Sequence, residues 1–314
     1  MKGGFIALIV IGSVLLTVGA FFAIGAINTS RDRTITKEYN VEQYSKMNID
    51  IQTADLEFKV STNGERKVVC VEKKKLYHDV KVENDTLTIK SINTRKWYEN
   101  ILNFNWNRMS ITVYAPAEAY GDSIIKSSTG NITIPSDFSF ENLNAGLSTG
   151  NVSIKSNVID YANVRTSTGN ISLEMKPKNL DVRASTGNVK LNKVEVEEKL
   201  TINTSTGHIQ LTDVKAKDME LRASTGTVKL TNTIADGNMI IRTSTGDVTF
   251  NDSDASVLID VETSTGDVKG TLLTGKIFQF ITSTGSIKPV ESVAGSGTCK
   301  VKTSTGDIAL SVKA

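Results

Sequence analysis

Ser-Thr-Gly recurs ten times in this 314-residue chain, with its glycine at Gly130, Gly150, Gly169, Gly187, Gly207, Gly226, Gly246, Gly266, Gly285 and Gly306. Successive glycines stand 18 to 21 residues apart. A unit that short cannot enclose a core alone; it has to bury its apolar face against equivalent units stacked on either side. The repeat therefore points to a solenoid, with one coil per unit.

The columns around the glycine say how each coil is built. Five residues before it every copy is apolar: Ile125, Ala145, Val164, Val182, Ile202, Leu221, Ile241, Val261, Phe280 and Val301. Two residues after it the same holds, from Ile132 and Val152 to Ile287 and Ile308. The columns between are polar, with Arg165, Arg183, Arg222 and Arg242 on one side of the turn and Lys190, Lys229 and Lys269 on the other. Alternation with a period of two marks strands with one buried face, whereas a helix needs apolar spacings of three and four. Apolar residues seven before the glycine (Leu180, Leu200, Met219, Met239) and seven or eight after it (Val194, Val214, Val158, Ile234) predict a third, less regular side. The expected fold is all-β: a single-stranded, right-handed parallel β-helix of about ten coils, stacked at ~4.8 Å into a rod about 45 Å long. Glycine suits a corner repeated in register, and the serine and threonine before it can bond to nearby backbone.

Phe5 to Ile27 contains no charged residue. At about 1.5 Å per residue a helix of that length crosses a bilayer, which favours an uncleaved transmembrane anchor over a signal peptide. Ala23-Ile24-Gly25 nevertheless offers small residues for cleavage. Lys2 set against Arg31, Arg33 and Lys37 leans toward a cytoplasmic solenoid, while an apolar segment at the extreme N-terminus leans toward export. The organisation expected is an anchor at residues 1–30, a strand-rich cap with degenerate coils at 31–118, and the regular solenoid at 119–314. Ser61-Thr62-Asn63-Gly64 reads as a degenerate corner of the same kind. No cap is evident at the C-terminus, so the last strand, Asp307 to Ala314, is expected to present an open edge to a partner or a second copy.

Chemistry is sparse. His78 and His208 are the only histidines and no ligand set is evident around either; His208 falls in the column after the glycine, where Asn131, Asn151, Asn170, Asn188, Asp247, Asp267 and Asp307 also stand. Cys70 and Cys299 read as buried small hydrophobes too far apart for a disulfide. Asp247 and Asp267, one coil apart, would share a cation or repel each other. No catalytic, cofactor-binding or metal-binding residue is assigned, and no cofactor is expected. A formal charge of +2 from 36 basic and 34 acidic residues gives no support for nucleic-acid binding. The arginine and lysine columns could face an anionic envelope polymer, or could simply be solvated strand faces. Trp97, Tyr98, Phe104 and Trp106 gather both tryptophans between two predicted strands, as an end cap or as an aromatic contact site.

These units, with Ile49-Asp50-Ile51, Asp55-Leu56-Glu57-Phe58 and the strand Met109 to Pro116, resemble the bacterial "putative adhesin" family of β-solenoid domains over about residues 45 to 312. The family brings no catalytic residues to carry over. The resemblance implies a tethered or exported protein with its solenoid outside the membrane. The expected function is non-enzymatic: an envelope protein, held in the membrane by its N-terminal helix, whose rigid rod binds or adheres to an envelope polymer or protein. The alternative is a scaffold or regulatory part of a membrane stress-response system, docking or self-associating through its C-terminal coil. A cell-wall polysaccharide enzyme lacks the paired carboxylates it would need. Ice binding is disfavoured because Thr166, Thr204, Thr243, Thr263 and Thr303 fall in an inward column.

Overall fold

The structure is a computed structural model that describes residues 34–96, 108–293 and 297–313. The segments expected to form the anchor, Phe5–Ile27, and the aromatic cap, Trp97–Trp106, lie outside the described residues. Within them the chain is strand and turn, and 24 strands join one continuous sheet that winds on itself as a β-solenoid.

Coils pair in parallel with their columns in register: Val164 lies over Val182, Val182 over Ile202, Ile202 over Leu221 and Leu221 over Ile241. All five are buried, together with the matching column after the glycine, in one core that runs the length of the stack. In the middle coils the strand continues through the third side into the next unit, so that Val189–Thr206 and Ile209–Thr225 are single strands of 18 and 17 residues. Six residues after the glycine a second corner appears in which Lys193, Asp213, Asn232 and Asp252 all have φ near +50°. Asp and Asn tolerate this left-handed conformation better than other side chains. Beyond that corner Val194, Val214, Thr233 and Ser253 turn inward and are buried. Ile234, expected inside, instead pairs with Lys215 and is only half-buried, because Thr233 takes the column of Val214.

Both ends depart from sequence order. Coils with Gly130 through Gly266 stack in chain order, but the Gly306 coil lies directly on the Gly266 coil and the Gly285 coil lies outside it. Strand Thr298–Thr305 accordingly pairs with Leu258–Thr265 on one side and Ile277–Thr284 on the other. The result is about nine full turns closed by an incomplete one. The C-terminal strand, Ile308–Val312, is therefore not the open edge expected from the sequence. It pairs with Val268–Leu272, and Ser286 to Lys288 cover part of its other side. At the opposite end Lys46–Thr53 sits between Ala119–Thr129 and Thr86–Asn93, which comes later in the chain but lies further out. Ser110–Ala115 likewise covers Asp55–Val60, and antiparallel strands Lys67–Lys73 and Thr34–Asn40 extend the sheet beyond it. Tyr44, Phe58, Tyr120, Phe138 and Phe140 fill the interior at this end, with ring centroids 5.7 to 6.2 Å apart.

The first corner is not Ser61 to Gly64, whose Gly64 has φ of 77° and no neighbouring coil against it. Thr53-Ala54-Asp55 fills that role: the Gly130 position stacks on the Ala54 carbonyl, and Ala54 donates its N–H to the Thr129 carbonyl.

Candidate functional site

The Ser-Thr-Gly edge is the most regular surface of the rod, and three bonded ladders hold it. In the first, each glycine N–H donates to the threonine carbonyl of the coil above, from Gly150 to Thr168, Gly187 to Thr206 and Gly207 to Thr225, at 2.8 to 2.9 Å. The second runs through the column after the glycine. Its side chain accepts the backbone N–H of the same position one coil on: Asn151 donates to Asn131, Asn170 to Asn151, Asn188 to Asn170 and His208 to Asn188. His208 continues the series, its Nδ1 accepting the Thr227 N–H at 3.1 Å. Its place is structural: an imidazole acceptor standing where an asparagine oxygen would. In the third, the buried Thr166, Thr204, Thr263 and Thr303, three before the glycine, donate to a glycine carbonyl of the coil beneath, as Thr166 to Gly150 and Thr303 to Gly266.

Close approach explains the glycine. At Gly207, φ is 149°, and a Cβ would stand 2.0 Å from the Gly187 carbonyl oxygen. The remaining corner glycines from Gly130 to Gly306 make the same backbone contact. Serine and threonine of each triplet, by contrast, are exposed in all ten copies. The two side chains thus form parallel columns of hydroxyls facing solvent, while the threonine column before them is inside.

Aspartate replaces asparagine in the upper part of the second ladder, where Asp267 donates its N–H to Asp247 and Asp307 to Asp267. Lys269 Nζ stands 3.8 Å from both Asp247 and Asp267 and supplies the cation that would relieve their repulsion. Hydrogen bonds from the Ser286 N–H and hydroxyl hold the Asp307 carboxyl below its usual range.

The arginine column is matched by acids two residues earlier or one coil away. Arg183 pairs with Asp181, Arg222 with Glu220 and Arg242 with Asp260 at 2.5 to 2.9 Å, and Arg165 approaches Asp181 at 3.7 Å. The bonds from Lys199 and Arg222 depress the Glu220 carboxyl. The arginine half of the basic stripe read from the sequence is therefore neutralised where it stands. On the third side a groove lined by Lys155, Glu174, Lys176, Glu195 and Lys215 alternates charge in the same way, with Lys176 and Glu195 paired at 3.0 Å.

The outermost strand, Ile277–Thr284, pairs on one side only among the described residues. From Ile277 to Ile287 it carries no charge, and Ile277, Ile281 and Ile287 are exposed. Phe278 and Phe280 lean together at 5.4 Å over the end of the core. Ser292 Oγ accepts the Phe278 N–H, covering the start of the edge. Just inside, Lys276 and Asp254 form a buried ion pair at 2.8 Å, and Thr274 donates its N–H and hydroxyl to Asp254. Among the sequence-selected aromatics, Trp97, Tyr98, Phe104 and Trp106 lie outside the described residues. Cys299 is buried in the core; Cys70 is buried too, but beside Glu72 and His78 rather than among apolar side chains alone. No repeat signal marks that grouping, because the residues converge only through a hairpin in the cap.

These features define a β-solenoid repeat protein with a capped N-terminal end and an uncharged outer edge. Residues 44–311 match the Toastrack DUF4097 family, and the chain belongs to it. Among solved structures it is similar to a "putative adhesin" from Parabacteroides distasonis ATCC 8503, at 12% identity and a TM-score of 0.49, covering 89% of this chain and 98% of that one. A "putative lipid binding protein" from the same strain gives 14%, 0.46, 90% and 98%. A "putative adhesin" from Bacteroides fragilis NCTC 9343 gives 18%, 0.42, 90% and 99%. No curated protein matches the chain.

Proposed function

We propose that this chain is a non-enzymatic, membrane-anchored envelope protein whose solenoid serves as a rigid binding or adhesion surface outside the membrane. The observation that carries the reading is the paired column of exposed serine and threonine hydroxyls, repeated once per coil along the whole rod. A surface of that kind offers hydrogen-bond donors and acceptors at a fixed step, which suits an extended polar polymer better than a small molecule. Neutralised arginines argue for hydrogen bonding over simple charge attraction as the means of contact. The apolar Phe5–Ile27 segment supports the anchor, and the names of the similar structures lean toward adhesion.

Protease added to intact cells tests the placement: digestion of the rod without lysis is expected, and protection until lysis refutes it. Binding of the purified chain to isolated envelope tests the surface. Ser205→Arg with Ser224→Arg, both exposed, is expected to weaken binding about tenfold or more, equivalent to ~1.4 kcal/mol, with an unchanged fold. Undiminished binding would exclude the hydroxyl columns.

The uncharged edge Ile277–Thr284 favours a second reading, a scaffold that docks through its terminal coil within a membrane stress-response system. Ile281→Lys would abolish that docking and leave binding to envelope polymer intact.

A further inference from the structure

The N-terminal cap holds a group of side chains that coil stacking does not require. Cys70 and Glu72 project from one face of strand Lys67–Lys73, and His78 lies on Leu76–Glu83, across a hairpin closed by Lys73 and Leu76. A thiol sulfur, a carboxylate oxygen and an imidazole nitrogen from these three lie within 4.8 Å of one another. The residues are 0%, 1% and 2% exposed. Glu72 Oε2 accepts the His78 backbone N–H at 2.8 Å and stands 3.3 Å from His78 Nδ1. His78 Nε2, equally buried, has no hydrogen-bond partner. Nδ1 is thus the ring nitrogen turned to Glu72, and a dry pocket gathers an imidazole, a carboxylate and a thiol at one point.

We propose that Cys70, Glu72 and His78 bind a single divalent cation of the zinc class. The donor set selects the metal: calcium and magnesium take oxygen ligands, whereas a sulfur–nitrogen–oxygen trio suits zinc or cobalt(II). Tetrahedral bonds of about 2.0–2.3 Å place ligand atoms ~3.3–3.6 Å apart, so the glutamate–histidine separation already fits and a modest contraction brings in the sulfur. Charge also balances. A thiolate, a carboxylate and a neutral imidazole around a dication carry no net charge, as a buried site demands.

Binding exchanges one cation for another. Lys37 Nζ now holds Glu72 Oε1 at 2.5 Å, yet its side chain is 45% exposed and can swing into water. As the metal–sulfur bond forms, the Cys70 proton leaves to solvent. Lys37 is thus a competitor for the site, not part of it.

Cobalt(II) added to the reduced, chelator-treated full-length chain provides the test. A thiolate-to-cobalt charge-transfer band saturating at one equivalent is expected, with displacement by zinc. Cys70→Ala should abolish the band, Cys299→Ala should leave it, and Glu72→Gln should weaken binding at least tenfold. Lys37→Ala keeps all three ligands and should tighten binding, an effect that a purely structural cluster would not show. The inference is overturned if wild type gives no band at saturating cobalt, if the band survives in a folded Cys70→Ala chain, or if Lys37→Ala leaves affinity unchanged.

Discussion

Replacing Gly207 by alanine separates two reasons for a glycine that are usually merged. At Gly207 the backbone has φ of 149° and the added Cβ would lie 2.0 Å from the Gly187 carbonyl oxygen. Neither atom belongs to a flexible side chain, so the coils must move apart by more than an ångström. Strain in that φ region costs about 1–3 kcal/mol. Forcing the coils apart adds about 1–3 kcal/mol as overpacking. It also stretches two bonds between these coils, Gly187 N–H to Thr206 O and His208 N–H to Asn188 Oδ1, worth about 1 kcal/mol each. The combined loss is about 4 kcal/mol or more. Gly64→Ala supplies the comparison: φ is 77°, but no atom lies within 4 Å of the added methyl. Only the left-handed penalty of about 1–2 kcal/mol applies there. Urea unfolding of both variants, read as midpoint shifts at constant slope, should place Gly207→Ala well below Gly64→Ala. Equal losses would mean that backbone conformation, and not contact between coils, is why the corner needs glycine.

Other outcomes follow from the same geometry. Lys276→Met should destabilise the fold by about 3–5 kcal/mol because it strands the buried Asp254 carboxylate, while Lys276→Met with Asp254→Asn should recover much of that loss in the same urea assay. His208→Asn should match wild type in thermal unfolding, since the ladder needs only an acceptor; His208→Ala should lose about 1 kcal/mol. Burial holds the His78 imidazole below its ordinary 6.5, against the opposing pull of Glu72. Unfolding therefore takes up a proton as pH falls through that ordinary value, so stability is full above about 6.5 and declines below it. Glu72, Lys37, Cys70 and Tyr39 are the charged or titratable groups facing this histidine, and His78→Gln should flatten the slope between pH 7.5 and 5.5.

Much of the architecture was legible because the repeat encodes it twice, in the glycine spacing and in the alternation around it. Val164, Val182, Ile202 and Leu221 could be placed over one another without coordinates. Periodicity identifies equivalent units, however, and does not say which unit is next in space. The exchange of the Gly285 and Gly306 coils was invisible for that reason, as was the return of Thr86–Asn93 to the outside of Lys46–Thr53. The first corner was missed because Ala54 and Asp55 keep the ladder without the glycine signature. Lys193, Asp213, Asn232 and Asp252 did carry a signal, three of four being residues that favour left-handed backbone. Cys70, Glu72 and His78 carried none, since antiparallel pairing in the cap follows no repeat.

The strand order at the C-terminal end has a mechanical consequence. Thr298–Thr305 is flanked by paired neighbours on both sides, and Ile308–Val312 is held by one full ladder and a bridge on the other side. Tension applied at residue 313 would first peel the single ladder of Ile308–Val312 and would then meet Thr298–Thr305, where two rows of bonds must give together. Such a clamp resists pulling far better than its bond count suggests, and the chain obtains it merely by skipping a level and coming back to fill it.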